Sequence, residues 1–87
     1  MSEAPDRVAV TLGEWPDDVD SDEGVVVNWF VREGGRVDAD GSLCEVQIEK
    51  VSLDVYAPVA GTLTEVVVRE DGEFADGDTL AWMVADE

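Results

Sequence analysis

Eighty-seven residues suffice for one domain and leave little core to spare for a deep catalytic pocket, so a binding or carrier module is the natural expectation. Hydrophobic residues make up 45% of the chain and charged residues 31%, enough apolar material for a compact core and too much for wholesale disorder. Twenty-two Asp and Glu face five Lys and Arg, a formal net charge of −17, which leaves no basic patch for phosphate and argues against nucleic acid as a partner.

One cysteine cannot close an intrachain disulfide. With no histidine, neither a Cys/His zinc site nor a Ser-His or Cys-His nucleophilic pair is available, so no metal site and no catalytic residue is expected. The N-terminus, MSEAPDRVAV, has neither a basic start nor a long apolar run, and no stretch approaches about 18 apolar residues. A cytoplasmic chain with no membrane partner is the expectation. The acids are spread along the whole length, which favours a solubility adaptation to a salt-rich, halophilic cytoplasm over an acidic docking face for a basic partner.

Taken in chain order, the first strand ends near Val10, and a connection with the sequence GEWPDDVDSDE follows over 13–23. From Gly24 the chain enters a repeat: residues 24–47 overlay residues 61–84 at an offset of 37 without a gap. Gly24 falls on Gly61, Val31-Arg32-Glu33 on Val68-Arg69-Glu70, Gly35 on Gly72 and Leu43 on Leu80. The apolar positions correspond as well, Val26 with Leu63, Trp29 with Val66, Val37 with Phe74 and Val46 with Met83. Two like halves suggest a pseudo-two-fold domain.

Both halves are rich in Val, Thr and aromatic residues, are broken at Glu-Gly-Gly and Glu-Asp-Gly, and lack a long 3.6-residue period, which predicts strands. In Val26, Trp29, Val31 and in Leu63, Val66, Val68 the apolar spacing slips from two to three, the signature of a β-bulge. The next two runs alternate: Cys44, Val46 and Ile48 oppose Glu45, Gln47 and Glu49, then Leu53 and Val55 oppose Ser52, Asp54 and Tyr56. Cys44 is then a small core residue and not a reactive thiol.

Between these runs, Glu49-Lys50-Val51 reads as a tight reversal over 49–51 with Lys50 at its tip. An exposed turn lysine is ordinarily a solvated charge, but every other basic residue here is Arg. The counterpart of this turn, 37 residues on, is the C-terminal end of the chain, so the pseudo-symmetry places Lys50 at the opposite end of the domain from the termini.

The stretch EVQIEKVSLDVYAPVAGTLTEV (45–66) resembles the lipoyl-attachment segment of the biotinyl/lipoyl domains, particularly those of 2-oxo acid dehydrogenase acyltransferases. An acidic residue precedes the lysine, a small aliphatic one follows, and Ala57-Pro58-Val59-Ala60-Gly61 comes next; the likeness runs from Gly24 to Val84. It implies an all-β, flattened barrel, a barrel-sandwich hybrid of two four-stranded antiparallel sheets, forming one carrier domain over 1–87 with its core at about 7–85. It also implies covalent lipoate on Lys50, with Glu49 and Val51 shaping the turn and its recognition by lipoate-attaching enzymes. The partners implied are a thiamine-dependent decarboxylase/dehydrogenase, an acyltransferase and a dihydrolipoyl dehydrogenase, between which the arm moves acyl groups or reducing equivalents. The domain needs no catalytic group of its own, because tethering supplies a high local concentration of a strained dithiolane ring.

Three departures stand out. The family's Gly-Asp turns appear as Gly34-Gly35, Asp71-Gly72 and Asp40-Gly41. Val10 to Gly24 spans 14 positions where Val55 to Gly61 spans 6, an insertion of eight, and in the family this connection lies beside the lysine turn and helps select partners. Trp15, Asp17 and Asp18 are therefore candidate partner contacts, the alternative for Trp15 being that it folds back over the barrel edge. Lastly, the chain ends soon after the final strand; its initiating Met points to a stand-alone carrier over an excised domain. A glycine-cleavage-like carrier, a biotin carrier, which typically flanks its lysine with methionines, and an unmodified interaction module are the alternatives.

Overall fold

A computed structural model describes residues 7–86; the reading of the extreme N-terminus as free of a targeting segment falls largely on residues outside that range. The Val-, Thr- and aromatic-rich runs form eight strands: β1 Arg7–Val10, β2 Glu23–Trp29, β3 Arg36–Val37, β4 Ser42–Ile48, β5 Val51–Tyr56, β6 Gly61–Val66, β7 Glu73–Ala75 and β8 Ala81–Ala85. They make two four-stranded antiparallel sheets, ordered β1-β8-β6-β3 and β5-β4-β2-β7. Replacing each strand of one order by its partner in the repeat generates the other, which is the pseudo-two-fold expected from the offset of 37.

The symmetry extends to individual residues. The β2–β4 ladder slips between Val26 and Asn28, and the β6–β8 ladder slips between Leu63 and Glu65, the same place in each half. These are the bulges announced by the change in apolar spacing. The backbone is left-handed at Gly34 and at its counterpart Asp71, and again at Asp40 and its counterpart Gly77, so the rearranged Gly and Asp residues preserve the turns. At Gly61 the reason for glycine is contact: a Cβ there would collide with the carbonyl oxygen of Val84.

The core lies between the sheets and draws equally on both halves. Val26 and Leu63, Val46 and Met83, Leu43 and Leu80, and Cys44 and Ala81 are all fully buried, with Val10, Val55, Ile48, Ala57 and Phe74 beside them. Among the described residues no polar or charged side chain is buried, so the described carboxylates all contribute to the surface. One apolar position departs from simple alternation. Leu43 is buried next to Cys44 because β4 carries a further bulge against β5, where Ser42 faces Tyr56 and Cys44 faces Val55.

The connection from β1 to β2 is longer than its repeat counterpart from β5 to β6. Val10 pairs with Ala81 and Val55 with Cys44, equivalent positions in the two ladders, so the extra residues fall between β1 and β2. The boundary shifts by one at its end: Glu23 is already in β2, paired with Ala75, and the connection proper covers 11–22.

Candidate functional site

The β4–β5 hairpin positions the lysine. Val46 faces Leu53, Gln47 faces Ser52 and Ile48 faces Val51, which leaves only Glu49 and Lys50 outside the ladder. The loop is thus two residues long, and Val51, read from sequence as part of the reversal over 49–51, is the first residue of β5. Two-residue hairpins need a positive φ at their first loop residue, and Glu49 adopts it at 55°. Its strain is held in place from both sides of the residue. The Gln47 side-chain amide donates to the Glu49 carbonyl at 3.1 Å, and one Glu49 carboxylate oxygen accepts from the backbone amides of Ser21 at 2.7 Å and Asp20 at 3.0 Å. Ile48, fully buried, and Val51, half-buried, close the hairpin base, so the turn stands on an ordered ladder.

Lys50 itself is exposed and forms no ion pair among the described residues. The turn springs from Ile48 at the end of β4, whose repeat counterpart is Ala85 at the end of β8. Beside the turn lies an open groove of about 240 Å³, floored by β2 and β4 and bordered by Ser21, Glu23, Glu49 and Glu73.

The 11–22 connection folds towards this end. The Trp15 ring is half-buried, meets Phe74 edge-to-face with centroids 5.8 Å apart, and donates its indole N–H to the Ser21 carbonyl at 3.1 Å. Asp17 and Asp18 are exposed. Of the residues singled out from sequence, Glu49, Lys50 and Val51 are therefore together on the hairpin. Trp15 is anchored to the core, while Asp17 and Asp18 face solvent. Ser21, Asp20 and Gln47 were not singled out. Gln47 had a local signal, being outward on its strand two residues before Glu49, whereas the amides of Asp20 and Ser21 reach Glu49 only through the fold.

Chemically, the site offers a primary amine on a rigid, accessible turn. The thiol of Cys44 is fully buried, and burial foremost, with Asp54 and Glu70 adding negative charge nearby, pushes it up to about 12 from 9.0. Among the described residues no group of three or more His, Cys, Asp or Glu side chains is placed to hold a metal ion.

Comparison with known proteins agrees with this geometry. The family described as Biotin-requiring enzyme, Biotin_lipoyl, matches residues 16–83. Over 58 residues, 67% of the chain, it is 40% identical to the dihydrolipoyllysine-residue acetyltransferase component of pyruvate dehydrogenase complex from Staphylococcus aureus strain Mu50, and 38% identical to the protein of the same name from Staphylococcus epidermidis strain RP62A. The aligned part spans 14% and 13% of those proteins' lengths. Among solved structures, the lipoyl domain of the 2-oxoglutarate dehydrogenase complex from Azotobacter vinelandii superposes with a TM-score of 0.71 at 22% identity, covering 91% of this chain and all of that one. A single-chain, multi-domain long-chain acyl-CoA carboxylase contains the same fold, with a TM-score of 0.76 at 20% identity over the whole of this chain and 8% of that one. A barrel-sandwich of two repeated halves, an exposed lysine on the β4–β5 hairpin and a family match over most of the length lead to one conclusion: the chain belongs to the biotinyl/lipoyl family and contains a carrier domain of the lipoyl/biotin type, related to the lipoyl domains of pyruvate dehydrogenase acetyltransferases.

Proposed function

We propose that this chain is a lipoyl carrier, modified by lipoate-attaching enzymes through an amide to the Lys50 amine, and that it shuttles acyl groups or reducing equivalents between the active sites of a cytoplasmic 2-oxo acid dehydrogenase-type system. The observation that carries the reading is Lys50: the sole lysine of the sequence, exposed on a two-residue loop, within a domain whose relatives are named for a dihydrolipoyllysine residue. Its amine fits the group, since it is accessible and free of ion pairs among the described residues. When bound, lipoate supplies a strained cyclic disulfide that exchanges readily with thiols and accepts acyl groups.

The chain's own part is mechanical. The Ile48–Val51 pair and the bonds to Glu49 hold the attachment point still, so the mobility lies in the arm and not in its base. The arm then samples each partner site at a high effective concentration. Thiamine-dependent decarboxylase, acyltransferase and dihydrolipoyl dehydrogenase components are the partners in this reading.

Lipoate rather than biotin is supported by Glu49 and Val51 at the places where biotin carriers typically have methionine, and by the names of the sequence relatives. Supplying the purified chain with ATP and either lipoate and a lipoate-attaching enzyme or biotin and a biotin-attaching enzyme tests this. Loading by lipoate alone is expected; loading by biotin alone, or by neither, would overturn it.

A further inference from the structure

The 11–22 connection is tied down at two points that meet in Ser21. The Ser21 amide donates to the Glu49 carboxylate at 2.7 Å, its carbonyl accepts the Trp15 indole N–H at 3.1 Å, and its hydroxyl accepts the Glu23 amide at 3.1 Å while donating to the Glu23 carbonyl at 3.0 Å. The Asp20 amide adds a second bond, 3.0 Å, to the same Glu49 oxygen. Two successive backbone N–H groups converging on one carboxylate oxygen form a charge-assisted contact across 28 positions of sequence. The contact is exposed, so its consequence is geometric more than energetic. Glu49 is the residue before Lys50 in a two-residue loop, and anything that fixes its side chain relative to the connection fixes the connection relative to the lysine.

What the tether brings beside Lys50 is an acidic segment, with Asp17, Asp18, Asp20 and Asp22 all exposed. The other half has nothing of the kind. Its connection from β5 to β6 is eight residues shorter. The asymmetry of the domain is therefore concentrated at the end that carries the amine.

We propose that Glu49 is a positioning residue that holds the acidic connection against the Lys50 turn, so that an enzyme with a basic surface acting on Lys50 meets the connection and the turn as one surface. This rests on the carrier reading above. It also assigns Glu49 a role other than direct recognition: the carboxylate is occupied by the chain's own amides, and Asp17 and Asp18 present the charge.

A coupling cycle on the full chain tests it with two readouts. Glu49→Ala and the pair Asp17→Asn with Asp18→Asn are made separately and together; all three positions are exposed and lie outside the core, so the variants keep the fold. The first readout is amide hydrogen exchange at Asp20 and Ser21 in unmodified protein, expected to quicken by about tenfold in Glu49→Ala. The second is kcat/KM for loading of Lys50 by a lipoate-attaching enzyme from the host cells. Each change alone is expected to lower it about threefold or more, through KM, and the combination to fall no further than the larger single effect. Glu49→Gln, which keeps the reach and an acceptor oxygen, should retain more loading than Glu49→Ala. Unchanged exchange in Glu49→Ala would overturn the tether. Additive losses would mean that the enzyme reads Glu49 directly, and single variants that load at the wild-type rate would mean that it reads neither, each overturning the positioning role. Wild-type protein that accepts no lipoate while its Asp20 and Ser21 amides stay protected would instead overturn the carrier reading itself.

Discussion

Glu33 and Glu70, 37 positions apart, accept a backbone hydrogen bond from each other's half of the domain: Glu33 from the amide of Val66 at 2.7 Å and Glu70 from the amide of Trp29 at 3.1 Å. Trp29 and Val66 are themselves repeat partners at the ends of the bulged strands, where the ladder leaves amides without a neighbour. Each carboxylate thus satisfies an amide at the end of the other half's bulged strand. Losing either acceptor hands an amide back to water, so Glu33→Ala and Glu70→Ala should each lower stability by about 0.5–1.5 kcal/mol in urea denaturation. Glu33 should show the larger effect, since its contact is shorter and Arg69 lies 3.6 Å from the same oxygen. Two variants as stable as the parent would remove the carboxylates from the account of the fold.

Cys44 makes a pH prediction with a definite sign. Its thiol is raised from 9.0 to about 12 in the folded chain, so the unfolded chain ionises first. The contribution is present in full below about pH 9 and is lost as the pH climbs from there towards 12, at up to about 1.4 kcal/mol per pH unit. Denaturation of the parent and of Cys44→Ala across that range isolates the effect, because all other groups titrate in both. Parallel curves would show that the thiol is not held protonated by the fold. The same burial predicts that a thiol reagent at pH 8 labels Cys44 only after denaturant is added.

Trp15 ties the connection to the core through Phe74 and Ser21. Trp15→Ala removes half-buried aromatic surface and an indole hydrogen bond, and should cost about 1–3 kcal/mol, less than the figure for a fully buried tryptophan. Thermal melting measures it. No shift in midpoint would mean that the ring leaves Phe74 in solution, freeing it for a partner.

The net charge is −17, and among the described residues no charged side chain is buried. At about 0.01 M salt the Debye length is roughly 30 Å, so the carboxylates repel one another across the whole domain. Stability should therefore rise with sodium chloride up to molar concentration. Sodium sulfate and a neutral osmolyte at matched concentrations separate screening from enhanced apolar burial. A flat response to sodium chloride would favour a docking role for the acids over adaptation to salt.

Much of the fold was legible in the sequence because the domain is written twice. Val26 with Leu63 and Val46 with Met83 announced one buried face, and the slip from two to three in the apolar spacing announced paired bulges that the ladders contain. Local patterns failed where the determinant was not local. Leu43 lies next to Cys44 in an alternating run and is buried through an additional bulge that alternation does not encode. Glu33 and Glu70 read as turn residues, and their acceptor roles depend on strands 33 and 41 positions away. At the candidate site, the exposed turn position of Lys50 was legible from its place between two alternating runs. The Glu49–Ser21 bond was not, because nothing in GEWPDDVDSDE indicates which of its amides faces the hairpin.

The central claim, that Lys50 is the attachment point of a lipoyl arm, is tested most directly by intact mass of the protein from its native cells, followed by fragmentation of the peptide that contains Lys50. The parent should carry one lipoyl adduct, located on Lys50, and Lys50→Arg should fold with an unchanged melting temperature and carry none, since the guanidinium keeps the charge without offering an acylatable amine. A parent of unmodified mass, a biotin adduct in place of lipoyl, or a Lys50→Arg protein that still carries the group would contradict the account.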